Sequence, residues 1–144
     1  NYSFTYVNGT LTITKATPVI TWNNPAAITY GTLLSATQLN ASSGVAGTFT
    51  YTPASGALLN AGANQNLSVN FVPTDAVNYN SVLGTTVQIT INKALLTATA
   101  ENKSRVYGAA NPALTIVYTG FVNSETSAVI DSQPTAGTVA TVLS

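Results

Sequence analysis

Histidine, cysteine and methionine are missing from all 144 residues, and charge is nearly as scarce. Each absence removes a class of chemistry. Without histidine there is no general base of the commonest kind and no imidazole metal ligand. Without cysteine there is neither a disulfide framework nor a thiolate metal site. Lack of methionine leaves no translation start in the sequence, so the chain reads as a piece of something longer. Charged residues make up 6% of the chain, four basic against four acidic, where an average soluble domain has roughly 25%. A net charge of zero supplies no basic patch for nucleic acid and no polybasic segment for anionic lipid. No apolar run reaches the ~20 residues of a membrane span, and no signal peptide is apparent. These absences predict no nucleic-acid partner, no membrane insertion in this stretch, no cofactor, no metal site and no enzymatic activity. Solubility falls to the many threonine, serine and asparagine side chains. That composition suits a secreted bacterial repeat protein better than a cytosolic enzyme.

What the sequence does contain is a repeat. Thr10-Leu11-Thr12-Ile13-Thr14-Lys15-Ala16 returns as Gln88-Ile89-Thr90-Ile91-Asn92-Lys93-Ala94. In both copies apolar residues alternate with polar ones, the period-two pattern of a half-buried strand. Asn1-Tyr2 and Asn78-Tyr79 lie upstream of the two copies, and Tyr30-Gly31 and Tyr107-Gly108 downstream. Lys15 and Lys93 are 78 positions apart, and Tyr30 and Tyr107 are 77 apart. A fixed period with drifting sequence between anchors marks a tandem array. The array divides into residues 1–15 (the end of one module), 16–94 (a complete module) and 95–144 (the front of a third).

The alternation predicts short strands throughout. Residues 2–6 and 10–15 read as a hairpin about Asn8-Gly9. Within the complete module, strands are expected at 19–22, 27–30, 33–39, 48–52, 66–71 and 86–93, separated by Pro, Gly and Asn turns. Ile20, Ile28, Tyr30, Phe49, Tyr51, Leu67, Val69, Phe71, Val87, Ile89 and Ile91 should face inward. Such strands, spaced at roughly 8–12 residues, indicate an all-β sandwich. In the third module, 96–100 and 114–118 read as strands and Glu101 to Arg105 as an exposed turn. A short helix is expected near 124–130, capped by Asn123 or Ser124 with Glu125 in its first turn.

Several strings resemble known families. Thr21-Trp22-Asn23-Asn24-Pro25, Ile28-Thr29-Tyr30-Gly31, Thr48 through Gly56, and Phe71-Val72-Pro73-Thr74-Asp75 leading to Asn78-Tyr79 are similar to a bacterial immunoglobulin-like repeat. Asn102 through Leu114, with Tyr107-Gly108 inside it, and Tyr118-Thr119-Gly120-Phe121 resemble the front of an MBG domain of the Tyr-Gly-x type. Residues 1–15 are similar to the last strands of that type. The resemblance implies tandem modules of large bacterial surface proteins and adhesins: a stalk or spacer in an extracellular, surface-attached or secreted protein. It brings no catalytic residue with it. A β-grasp-like arrangement of the MBG-type module stays open.

The residues that could carry chemistry all have a structural reading beside the functional one. Asp75, Glu101, Glu125 and Asp131 are the only carboxylates and are scattered, which makes a poor ligand set for acid–base work or Ca²⁺. Asp75 reads as a turn residue bonding its own backbone. Tyr79 could form a tyrosine corner. Trp22, Tyr30, Phe49 and Tyr51 could stack on a sugar, but aromatics at strand spacing usually pack into a core. Lys15 and Lys93 could join an isopeptide crosslink, or simply end strands in solvent. Asn1, Asn8, Asn40, Asn66 and Asn102 match the N-glycosylation pattern.

Two functions follow. The first is a structural spacer, stiff because Lys15-Ala16-Thr17-Pro18 and Lys93-Ala94-Leu95 leave no Gly/Ser linker. The second is an adhesin module binding a glycan or host protein. The partners expected are neighbouring modules, or copies of the same chain meeting through residues 1–15 and 95–144. A surface glycan or protein is the other candidate.

Overall fold

A computed structural model describes residues 1–142. The fold is all-β, as the alternation implies. In chain order the strands are β1 (Ile20–Thr21), β2 (Ile28–Thr29), β3 (Ser42–Ser43), β4 (Gly47–Thr52), β5 (Gly62–Pro73), β6 (Val82–Asn92), β7 (Thr97–Ala100) and β8 (Ile116–Thr119). One four-stranded sheet has the order β2-β6-β5-β4. β4 runs antiparallel to β5, with Phe49 opposite Phe71 and Tyr51 opposite Val69. β2 runs parallel to β6, with Ile28 opposite Ile91. Two small antiparallel pairs, β1–β3 and β7–β8, complete the set.

The chain forms two compact units that interleave along the sequence. One takes Asn1–Ala26, Leu34–Ala57 and Asn64–Ile89; the other takes Ala27–Leu33, Leu58–Ala63 and the chain from Thr90 on. Positions 15/16 and 94/95 are therefore boundaries of the sequence repeat rather than of these units.

The core of the first unit follows from period two. Leu67, Val69 and Phe71 on β5 and Val87 and Ile89 on β6 are buried, while Asn66, Asn70, Thr86 and Gln88 between them face out. Phe71 is fully enclosed, with the Phe49 ring centroid 4.8 Å away. Trp22 joins this core edge-on to Tyr51, centroids 5.4 Å apart, and its indole N–H donates to the Gln38 carbonyl at 3.1 Å. That bond satisfies a donor that burial would otherwise orphan.

Four expectations need correction. Residues 33–39 are not a strand. Gln38 turns its side chain back, and its Oε1 accepts from the Ser35 N–H and hydroxyl, both at 3.1 Å. Side-chain bonds of this kind compete with ladder formation. Leu34 and Leu39 are nonetheless buried, Leu34 held by backbone bonds to Gly56 and Ala57.

Residues 2–6 and 10–15 form no hairpin, and all of residues 1–15 are exposed. An isolated two-stranded ribbon with nothing over its apolar face is marginal in water. The expected helix near 124–130 shrinks to a 3₁₀ turn at Ser127–Val129, whose cap is Thr126. Asn123 and Ser124 have φ of 54° and 61°, a left-handed conformation from which a right-handed helix cannot continue. Finally, Ile20, Ile28, Tyr30, Phe49 and Tyr51 are half-buried rather than enclosed. β1 and β2 are two residues long and β4 lies at the edge of its sheet, so each is covered incompletely.

Candidate functional site

Three of the four carboxylates singled out above accept hydrogen bonds from neighbouring side chains. In the turn after β5, Asp75 Oδ1 accepts from the Val77 and Asn78 N–H groups at 3.1 Å, and Oδ2 from the Asn78 side chain at 2.8 Å. The Asn78 bonds, side chain before backbone, hold its carboxyl below the usual range. Glu101 is bonded by the Thr115 hydroxyl and by Lys103 at 3.0 Å, which depress it in that order. Glu125 accepts from the Tyr30 hydroxyl at 2.5 Å. Asp131 is exposed. Among the described residues no three acids gather into a metal-sized cluster. Trp22 packs on Tyr51, Tyr51 on Phe49 and Phe49 on Phe71, whereas Tyr30 faces elsewhere, to Glu125. Tyr79 is tied through its backbone, which bridges to Ala16. Asn1, Asn8, Asn40, Asn66 and Asn102 are exposed.

What the folded chain does build carefully is the pair of places where one repeat gives way to the next. At the first, Ala16 N–H donates to the Asn78 carbonyl at 2.9 Å and the Ala16 carbonyl accepts from Asn80 N–H at 2.8 Å. Lys15 Nζ donates to the Ala76 carbonyl at 2.6 Å, and the Asn80 amide reaches the Thr17 hydroxyl at 3.1 Å. Lys15 is thus a clamp on the turn that Asp75 shapes.

The second junction lies between β6 and β7, where Lys93-Ala94-Leu95-Leu96 is all the chain there is. Tyr30 N–H donates to the Asn92 carbonyl at 2.8 Å, which anchors the end of β6. Gly120, at φ 107°, lies so close to the Leu95 carbonyl that a Cβ would collide with it. Gly31, at φ 99°, faces Val122, whose carbons would stand 3.0 Å from a Cβ. These two close approaches explain why glycine follows Tyr30 and Thr119. The bond to Glu125, then lost hydration and the nearby carboxylate charge, push the Tyr30 hydroxyl above the usual tyrosine range, against a smaller opposing pull from Asn123. A cavity of about 340 Å³ sits here, lined by Tyr30, Lys93, Leu96, Phe121, Val122 and Glu125. Lys93 lines this cavity beside Glu125, whereas Lys15 is held by a backbone carbonyl.

Sequence reasoning found the missing linkers but not the Tyr30–Glu125 bond, which joins residues 95 positions apart. The only signal for it was that Tyr-Gly recurs at fixed spacing.

Residues 96–143 match the family described as the MBG domain (YGX type). The matched stretch is similar to that domain and contains the Tyr107-Gly108 string. No curated protein and no solved structure matches the chain.

Proposed function

We propose that this chain is a run of structural spacer modules from an extracellular bacterial surface protein, adhesin or filament. In this reading residues 1–15 close an MBG-type module, 16–94 form a complete bacterial immunoglobulin-like module, and 95–144 open a second MBG-type module. The observation that carries it is the pair of clamped, linkerless junctions. Lys15 and Asn80 fasten the first, and Asn92, Gly120 and the Tyr30–Glu125 bond fasten the second. A spacer needs transmitted stiffness, and stiffness is lost first where flexible residues separate modules. The MBG match at 96–143 supports a repeat-module context. No reaction is assigned to it, because the hydroxyls have no histidine to activate them.

Backbone ¹⁵N relaxation tests the reading. Residues 93–96 should be as rigid on the sub-nanosecond timescale as β6. Fast, large-amplitude motion there would remove its basis. A glycan-array screen is the complementary arm: saturable binding to one glycan would replace the spacer role with a ligand-binding adhesin role.

A further inference from the structure

Five asparagines match the Asn-x-Ser/Thr pattern, and three of them, Asn40, Asn66 and Asn102, lie beyond residue 16. An acceptor of this kind needs its amide nitrogen and the hydroxyl two residues on within an enzyme's reach, on a segment at the surface. The fold treats the three differently. Asn66 and Ser68 lie on β5, the strand held between β4 and β6. Asn66 Oδ1 accepts from the Gln88 side-chain amide at 3.4 Å, and the Ser68 hydroxyl donates to the Thr52 carbonyl at 3.5 Å. The Asn40 amide donates to the Thr37 carbonyl at 3.2 Å. Its companion hydroxyl, on Ser42 in β3, donates to the Thr21 carbonyl at 3.5 Å. Asn102 and Ser104 are exposed, belong to no strand and make no hydrogen bond among the described residues. Their neighbours hold the segment in place. Glu101 N–H donates to the Thr115 carbonyl at 3.0 Å, and the Glu101 carboxylate accepts from the Thr115 hydroxyl and from Lys103. Arg105 Nε donates to Asn111 Oδ1 at 2.6 Å. Alternate side chains are thus tied to the fold, and the amide and hydroxyl between them are left to solvent.

We propose that Asn102 is an N-glycosylation site, with its side-chain amide as the acceptor and the Ser104 hydroxyl as the second group the transferase reads. The donor class is a nucleoside-diphosphate hexose, and the transferase is a separate enzyme. In the transfer, the bond from the anomeric carbon to the diphosphate oxygen breaks, and its electron pair leaves with the nucleoside diphosphate. Asn102 Nδ2 forms the new bond to that carbon, and the proton it gives up passes to a base of the transferase. A sugar at this position would bring bulk and hydration to the surface of a chain that is only 6% charged.

The full chain is incubated with an Asn-x-Ser/Thr-specific N-glucosyltransferase and UDP-glucose, and occupancy at each asparagine is read by peptide mass spectrometry. Asn102 should be modified at least about tenfold faster than Asn40 or Asn66, where local structure must open first. Ser104→Ala should remove modification at Asn102 and leave the denaturation midpoint unchanged, since Ser104 is exposed. Short peptides spanning the three sites should react at comparable rates. Equal or faster modification of Asn40 or Asn66 in the folded chain would overturn the assignment. So would an unmodified Asn102, or a preference for it as large in the peptides as in the folded chain, which would trace it to sequence rather than to the fold. Neither a mobile junction nor glycan binding by the chain would change which asparagine is modified, so the spacer reading can fail without this site failing.

Discussion

Ile91 and Ile13 occupy the same place in the same repeated stretch, yet one is enclosed and the other stands in solvent. The difference is not in the residues. Ile91 lies on a strand with β2 on one side and β5 on the other; Ile13 has neither. A larger contrast follows the same line. Residues 64–91 hold most of the enclosed side chains, whereas from Asn92 to Val142 no residue is buried. In the β7–β8 pair β7 is exposed throughout, and β8 is only half-buried at Ile116 and Tyr118. Period-two patterning names the face a strand will bury, and only a neighbouring strand or layer decides whether burial happens.

The contrast can be broken most severely at Phe71. Phe71→Ala should cost about 3–5 kcal/mol, read from urea unfolding, because a fully enclosed ring leaves a cavity. Phe4→Ala, at an exposed position, should stay within about 0.5 kcal/mol. A loss under about 1 kcal/mol at Phe71 would make it peripheral and move the core elsewhere.

The repeated isoleucines sharpen the comparison further. Ile91→Ala should cost about 2–5 kcal/mol, while in dilute solution Ile13→Ala should cost no more than about 0.5 kcal/mol. Equal costs would mean that residues 10–15 are packed in the isolated chain.

Gly120→Ala probes the second junction. The Cβ would meet the Leu95 carbonyl in a left-handed backbone conformation, so a loss above about 1 kcal/mol is expected. Its effect should appear as faster amide exchange at residues 93–100, with β5 unaffected.

The smallest effect is a pH dependence. Tyr30 is raised above the ordinary tyrosine value of about 10 by its bond to Glu125. The unfolded chain gives up this proton first as pH rises. The contribution to stability is therefore complete below about pH 10 and is lost as pH climbs through the higher folded value. Tyr30→Phe should flatten the alkaline limb of the stability profile; an unchanged limb would show that the bond does not form in solution.

The β5 and β6 core was legible in the sequence because Leu67, Val69, Phe71, Val87, Ile89 and Ile91 alternate with polar residues. Leu34 and Leu39 were not legible as core from a loop, because their burial depends on Gln38 folding back on Ser35, and amide bonds of that sort leave no periodic trace. The turn at Ser127–Val129 was half legible. A short helical element was expected there, but its cap is Thr126 rather than Asn123 or Ser124, whose left-handed conformation shortens it and leaves no trace in the pattern. At the junctions, the absence of a linker could be read directly. The Tyr30–Glu125 and Lys15–Ala76 ties could not, since each joins residues more than sixty positions apart.

Amide hydrogen exchange on the dilute chain tests the central contrast most directly. The account predicts strong protection at Ile89 and Ile91, at the end of β6, and exchange at near-intrinsic rates at Leu11 and Ile13. Equal protection of the two matched stretches in the isolated chain would contradict it.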